Sequence, residues 1–162
     1  MEEIYFKKTK ELKSNLNLLK EKLKVKITLA GKKAIIEGNS FEEYEAQQVL
    51  DAINFGFSAK KALLLKNEEF IFKMIHIKDI TKRKNLREIK SRIIGTEGKT
   101  KRTIENISEC FIEVIDNEVG VIVPAEKFED AITGIKNLIK GSKQSNVYHY
   151  LEKMNKNHRG II

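Results

Sequence analysis

Residues Arg92-Ile93-Ile94-Gly95-Thr96-Glu97-Gly98-Lys99-Thr100-Lys101-Arg102 carry the spacing in this 162-residue chain that points most directly to chemistry. Two glycines three apart permit a tight turn whose backbone comes close to a ligand, since neither has a Cβ in the way. A helix starting just beyond the turn directs its free N–H groups and positive dipole end at whatever sits there. Lys90, Arg92, Lys99, Lys101 and Arg102 surround the turn, so the chemistry is the binding of a phosphodiester backbone. A bare Gly-x-x-Gly is also an ordinary helix-to-helix turn. Gly98-Lys99-Thr100 ends like a nucleotide phosphate loop, but that loop needs a glycine where Ile93 stands and follows a strand, so the nucleotide loop is rejected.

Catalytic chemistry has little support. His76, His149 and His158 are scattered, Cys110 stands alone, and no His/Cys spacing suggests zinc. The carboxylate pairs Glu42-Glu43 and Glu68-Glu69 read as helix surface. The expectation is a non-enzymatic protein with no catalytic residues, no metal and no cofactor.

Charge sharpens the ligand class. Lys and Arg number 31 against 23 Asp and Glu, giving +8 and a pI near 9.4. Between Lys78 and Arg102, ten basic residues oppose Asp79, Glu88 and Glu97, so this segment holds +7 and the other 137 residues supply +1. Dispersed lysines usually mark a solvated face, but concentration in one segment favours a polyanion. At 41% hydrophobic and 33% charged the chain has enough apolar material for a core, which excludes wholesale disorder. One cysteine precludes an internal disulfide and suits a reducing compartment. The chain lacks an apolar run of roughly 18 to 20 residues, and its acidic start, Met1-Glu2-Glu3, is unlike a signal peptide. A cytoplasmic protein with no membrane partner is expected.

The elements that must position the turn follow from periodicity. Ile4 to Phe6 reads as a strand, and Leu12, Leu16, Leu19 and Leu23 form one helical stripe. Val25 to Leu29 and Ala34 to Ile36 form a hairpin about Gly31. Ser40 with Glu43 suggests a capping box opening a helix that ends before Gly56. A linking helix at 59–65 leads to a strand from Phe70 to Ile77. Helices at Lys82 to Arg92 and Lys99 to Ser108 flank the glycines, with Leu86, Ile89, Ile93, Ile104 and Ile107 inward. Strands at Phe111 to Ile115 and Val119 to Val123 turn at Asp116-Asn117. Pro124 suits the first turn of a helix closed by Gly141, and a last helix runs from Ser145 to Asn155. The order repeats, which predicts an α+β fold of two modules, each a three-stranded antiparallel sheet packed with helices, plus a C-terminal helix. The expected divisions are 1–66, 67–141 and 142–162.

With the order strand, helix, Gly-x-x-Gly, helix, strand, strand, helix, the second module resembles a type I KH (K-homology) RNA-binding domain. The resemblance extends further. The turn with Ile104-Glu105, the linker Gly56-Phe57-Ser58-Ala59-Lys60-Lys61-Ala62-Leu63 and the tail Ser145-Asn146-Val147-Tyr148-His149-Tyr150-Leu151-Glu152-Lys153-Met154 look like archaeal members of a double-KH ribosome-assembly family. Its eukaryotic relatives are called Partner of Nob. The resemblance implies two tandem type I KH-like modules and a non-enzymatic factor that binds near the 3′ end of small-subunit ribosomal RNA and assists its maturation. It also implies two protein partners: the endonuclease that trims that end and the alpha subunit of translation initiation factor two.

Two departures matter. The family often has a basic residue at the first variable position of the turn, where this chain has Thr96. The first module should carry its own Gly-x-x-Gly between its opening strand and the Leu12 helix, yet the first glycine is Gly31, so it resembles a degenerate KH module. In the KH mode, Gly95 to Gly98 clamp about four nucleotides while bases enter an apolar groove. That groove is assigned to Ile93, Ile94, Ile104 and the strand from Phe111, although Ile94 and Ile104 read equally well as core. Tyr148 and Tyr150 can stack on bases, but packing is the favoured use. The competing reading is a protein-protein adaptor whose basic surface engages translation or processing factors.

Overall fold

The computed structural model describes residues 1–159, which form a first compact unit of Met1–Phe72 and a second beginning at Lys73. The first unit runs β1 (Glu2–Tyr5), α1 (Lys10–Ser14), α2 (Leu16–Leu23), β2 (Lys26–Ala30), β3 (Lys33–Glu37), α3 (Ser40–Phe55) and α4 (Ala59–Ala62), then a 3-10 turn at Leu63–Lys66. The strand order is β1-β3-β2 and both pairings are antiparallel. Ile4 faces Ala34 and Ile27 faces Ile36 across the ladders, placing these apolar side chains in the core with Leu12, Leu19, Leu23 and Leu50. Phe55, Phe57 and Phe72 form a ring cluster with centroids 5.9 to 6.0 Å apart.

Two local expectations change here. The leucine stripe is broken into α1 and α2 at Asn15, whose Nδ2 donates to the Glu11 carbonyl at 2.9 Å, a side-chain bond that competes with helix continuation. Asn39, not Ser40, caps α3, accepting from the Glu42 N–H at 2.8 Å. Glu43 does not close a capping box; its carboxylate lies 2.7 Å from the Met1 ammonium.

The second sheet contains β4 (Phe70–His76), whose first three residues fall in the first unit, with β5 (Phe111–Ile115) and β6 (Glu118–Pro124), in the order β4-β6-β5. Its helices are α5 (Ile77–Ile80), α6 (Leu86–Ile94), α7 (Lys99–Ser108), α8 (Phe128–Lys140) and α9 (Gln144–Arg159). Setting α5 aside, element order and strand order repeat those of the first unit. The fold is α+β, with two three-stranded sheets each covered by helices.

The helix expected from Lys82 begins only at Leu86, because Asn85 caps it by accepting the Glu88 N–H at 3.1 Å. Lys82, Arg83 and Lys84 therefore lie in a loop after the short α5. Pro124 ends β6 instead of opening a helix, and a 3-10 turn at Ala125–Lys127 precedes α8. Its φ of −58° and ψ of 138° are extended, and a residue without an N–H suits the end of a ladder.

The core gathers Ile75, Ile89, Ile93, Ile104, Ile112, Val121, Ile135 and Leu138. Helix α9 completes it through Val147 and Leu151, which lie so close to Gly134 that a Cβ there would meet them at 3.2 to 3.4 Å. Asn155 Nδ2 fixes the far end of α9 on the Ile107 carbonyl at 2.7 Å. Tyr148 and Tyr150 pack against this core, as the favoured reading of the tail requires. Among the described residues no helix is long and apolar enough to cross a membrane.

Cys110 joins the same core at 2% exposure, and burial, aided by the nearby Glu105 carboxylate, pushes its thiol from 9.0 up to about 12. The neutral thiol is the form the fold stabilises. That contribution is complete below pH 9 and is lost as pH rises toward 12. Thermal unfolding measured at intervals between pH 8 and pH 11 should therefore show a smaller alkaline loss for Cys110→Ala than for the wild type; parallel curves would disprove the assignment.

Candidate nucleic-acid interface

Helix α6 reverses into α7 through the Gly95–Gly98 turn, where Gly95 (φ 77°), Glu97 (φ 54°) and Gly98 (φ 75°) all have positive φ. The Gly95 N–H donates to the Ser91 carbonyl at 2.7 Å, and the Gly98 N–H donates to the Gly95 carbonyl at 3.1 Å. The two glycines are needed for different reasons. A Cβ on Gly95 would sit 2.3 Å from Thr100 Oγ1 and 2.6 Å from the Thr100 nitrogen, so the turn closes onto the first turn of α7. At Gly98 only the end of the Arg102 side chain comes near, at 3.3 Å, so backbone conformation alone demands glycine. Glu97 has a Cβ in the left-handed region, and Arg102 Nη1 holds its carbonyl at 2.7 Å.

Helices α3 and α6 begin with asparagine caps and place glutamates in their first turns. Helix α7 begins at Gly98 with no side-chain cap and no acid in its first turn. The Lys99 N–H is taken by the Thr96 carbonyl, and the positive dipole end of α7 lies without a side-chain cap beside a turn that admits close approach. That arrangement can hold an anion without a catalytic group. No cluster of three His, Cys, Asp or Glu side chains able to hold a metal occurs among the described residues.

The structure divides the residues that the spacing nominated. Arg92 points away from the turn, donating to the Leu138 carbonyl at 3.1 Å and to the Ser142 carbonyl, and so it ties α6 to the end of α8. Thr100 is buried beneath Gly95, and Lys101 pairs with Glu113 at 3.7 Å. Lys99 and Thr96 are exposed and Lys90 is half-buried; neither lysine has an ion-pair partner among the described residues. Of the assigned groove, Ile93 and Ile104 are fully buried and present no surface, whereas Ile94 and Phe111 keep part of theirs. Both isoleucines support the turn from the core. The sequence marks Thr100 only as a small residue five positions after the first glycine, which does not disclose its packing role.

The first unit lacks this arrangement. Its helices α1 and α2 meet at the single residue Asn15, whose φ is −118° and whose side chain turns back onto Glu11. The joint that corresponds in element order to the glycine turn lies there, between α1 and α2, and not ahead of the Leu12 helix where the resemblance placed it.

A strand, two helices joined by Gly-x-x-Gly, two strands and a helix define a type I KH domain. Residues 71–156 match the profile of the second KH domain of PNO1, described as a eukaryotic type KH-domain, KH-domain type I. The match covers just over half of the chain, and the chain belongs to the PNO1 family of KH proteins. A KH domain-containing protein of Methanocaldococcus jannaschii is 31% identical over 111 residues, spanning 68% of this chain and 49% of that protein. The RNA-binding protein PNO1 of Oryzias latipes is 32% identical over 107 residues, spanning 64% of this chain and 44% of its own length. The chain thus spans about half the length of the curated relatives it matches. Among solved structures, a chain of the a/eIF2alpha-aDim2p-rRNA complex from Pyrococcus horikoshii superposes with a TM-score of 0.85 at 26% identity, covering 96% of this chain and 94% of that one.

The different demands at the two glycines give a measurable order. Gly98→Ala should cost about 1–2 kcal/mol, the strain of an L-residue in the left-handed region. Gly95→Ala should cost a further ~1–3 kcal/mol for the clash with Thr100. Chemical denaturation of both variants checks the order, and equal losses would contradict the packing described. Arg92→Ala should destabilise by about 1.5–3 kcal/mol through two lost charged hydrogen bonds, and Arg92→Lys should recover less than half, since an ammonium lacks the fork.

Proposed function

We propose that this chain is a non-enzymatic factor that binds single-stranded RNA near the 3′ end of small-subunit ribosomal RNA and assists its maturation. The observation that carries the reading is the Gly95–Gly98 turn, with three positive-φ residues, opening onto the uncapped start of α7. Backbone phosphates meet the turn and the positive dipole end of α7, Lys90 and Lys99 add charge, and Ile94 and Phe111 supply apolar surface for bases. The rRNA named in the complex of the Pyrococcus relative supports ribosomal RNA as the ligand, and the a/eIF2alpha in that complex supports the alpha subunit of initiation factor two as a protein partner. The endonuclease that trims the same RNA end is the third partner this reading implies. The first unit is a degenerate KH module that serves as scaffold, since it repeats the topology without the turn.

The adaptor reading draws support from the same complex, and the two readings separate on RNA. Gly98→Asp is the cleaner probe of the clamp, because only the movable end of the Arg102 side chain lies near that position whereas any Cβ at Gly95 disturbs Thr100. It should weaken binding of an oligonucleotide with the 3′-terminal rRNA sequence at least tenfold while circular dichroism stays native-like and the melting temperature falls only by the few degrees that about 1–2 kcal/mol of left-handed strain costs. Wild-type affinity should fall with salt at a slope of about −0.7 per phosphate contact. Unchanged affinity in folded Gly98→Asp would refute the clamp, and partner capture that survives ribonuclease treatment would favour the adaptor.

A further inference from the structure

The structure does not spend the positive charge of Lys78 to Arg102 where the glycine turn is. Arg92, Lys101 and Arg102 are committed to protein partners, as described. Lys78, Lys82, Arg83, Lys84 and Arg87 have no ion-pair partner among the described residues, and they gather at the opposite end of α6. An open cleft of about 460 Å³ lies there, lined by Lys78, Thr81, Lys82, Arg83, Lys84 and Leu86. Its walls are built rather than loose. Thr81 Oγ1 accepts the Arg83 N–H at 3.3 Å, the Leu86 N–H donates to the Lys84 carbonyl at 3.0 Å, and Arg83 lies over Gly141 with a nitrogen 2.6 Å from where a Cβ would be. Asp79 and Glu88 are the acids in this stretch; neither lines the cleft, and Glu88 is turned to the Asn85 cap with Oε2 3.4 Å from Nδ2.

We infer that this cleft is a second phosphate-binding site for the same RNA strand, so that the RNA footprint on the second unit runs from the glycine turn along α6 and exceeds the four nucleotides of a KH clamp. The inference rests on the RNA reading above. Nine residues at 1.5 Å rise make α6 about 13 Å long, too far for one phosphate to reach both ends. A strand already held at the turn brings further phosphates past the other end as an intramolecular contact, at a high effective concentration. An acidic protein segment fits the cations equally well, but nothing tethers it beside the turn.

The test compares wild type, Lys82→Ala/Lys84→Ala, Gly98→Asp and a charge-matched control, Lys7→Ala/Lys8→Ala, in fluorescence anisotropy with two RNAs. One RNA has about six nucleotides, little more than a KH clamp covers, and the other about fourteen. Lys82→Ala/Lys84→Ala changes exposed loop lysines. It should weaken the longer RNA about tenfold, leave the shorter within twofold, and reduce the salt slope for the longer RNA by about 1.4, the value for two phosphate contacts. Equal losses on both RNAs, no loss on either, or the same loss in the control would overturn the second site while leaving the clamp intact. Failure of the wild type to bind either RNA would overturn the RNA reading and this inference with it. Poly-glutamate that binds as tightly as the longer RNA and is released by Lys82→Ala/Lys84→Ala, with RNA affinity unchanged, would assign the cleft to an acidic protein instead.

Discussion

The contact between Gly95 and Thr100 sets the geometry of the second unit. Reversing α6 into α7 within four residues forces the chain through the left-handed region three times, and the reversal closes only because Gly95 offers no Cβ to the nitrogen and hydroxyl of Thr100. Once closed, Ile93 and Ile104 on the two helices reach the same core with no exposed surface, and the start of α7 is left beside the turn without a cap. The uncapped helix start beside an open turn is thus a by-product of packing two short amphipathic helices against one sheet.

Cations that look equivalent along the chain do different jobs once folded. A guanidinium has a planar fork of donors and suits the ends of helices, where carbonyls lack partners. Arg92 takes that role at the end of α8 and Arg102 holds the strained Glu97 carbonyl, so each fixes the frame around the turn. Ammonium groups on flexible stems are poorer at such fixed positions, and Lys90 and Lys99 have no ion-pair partner among the described residues.

The two units show that topology and site are separable. Both follow strand, helix, helix, strand, strand, helix with the first strand paired to the third. In the first unit Asn15 joins α1 to α2 with its side chain bonded to Glu11, which leaves no loop for a ligand to enter. The fold needs only apolar stripes on the right faces, whereas the site needs a particular backbone path at one joint.

Apolar periodicity by itself determined the α+β class, the repeated order of elements, the hairpins at Gly31 and Asp116-Asn117, and the glycine turn between two helices. These depend on nearest neighbours along the chain, where burial of one face and the conformational freedom of glycine act locally. Tertiary structure alone decided where Arg92 points, because its acceptors on Leu138 and Ser142 lie 46 and 50 residues away. It decided that Ile93 and Ile104 are core rather than groove, that Asn85 delays α6 and frees Lys82 to Lys84 into a loop, and that Pro124 ends a strand. Side chains with two plausible uses, a capping asparagine, a charged residue or an isoleucine near a turn, are assigned by partners distant in sequence. A linear pattern holds the options open, and packing selects one because a buried donor or acceptor must find its partner.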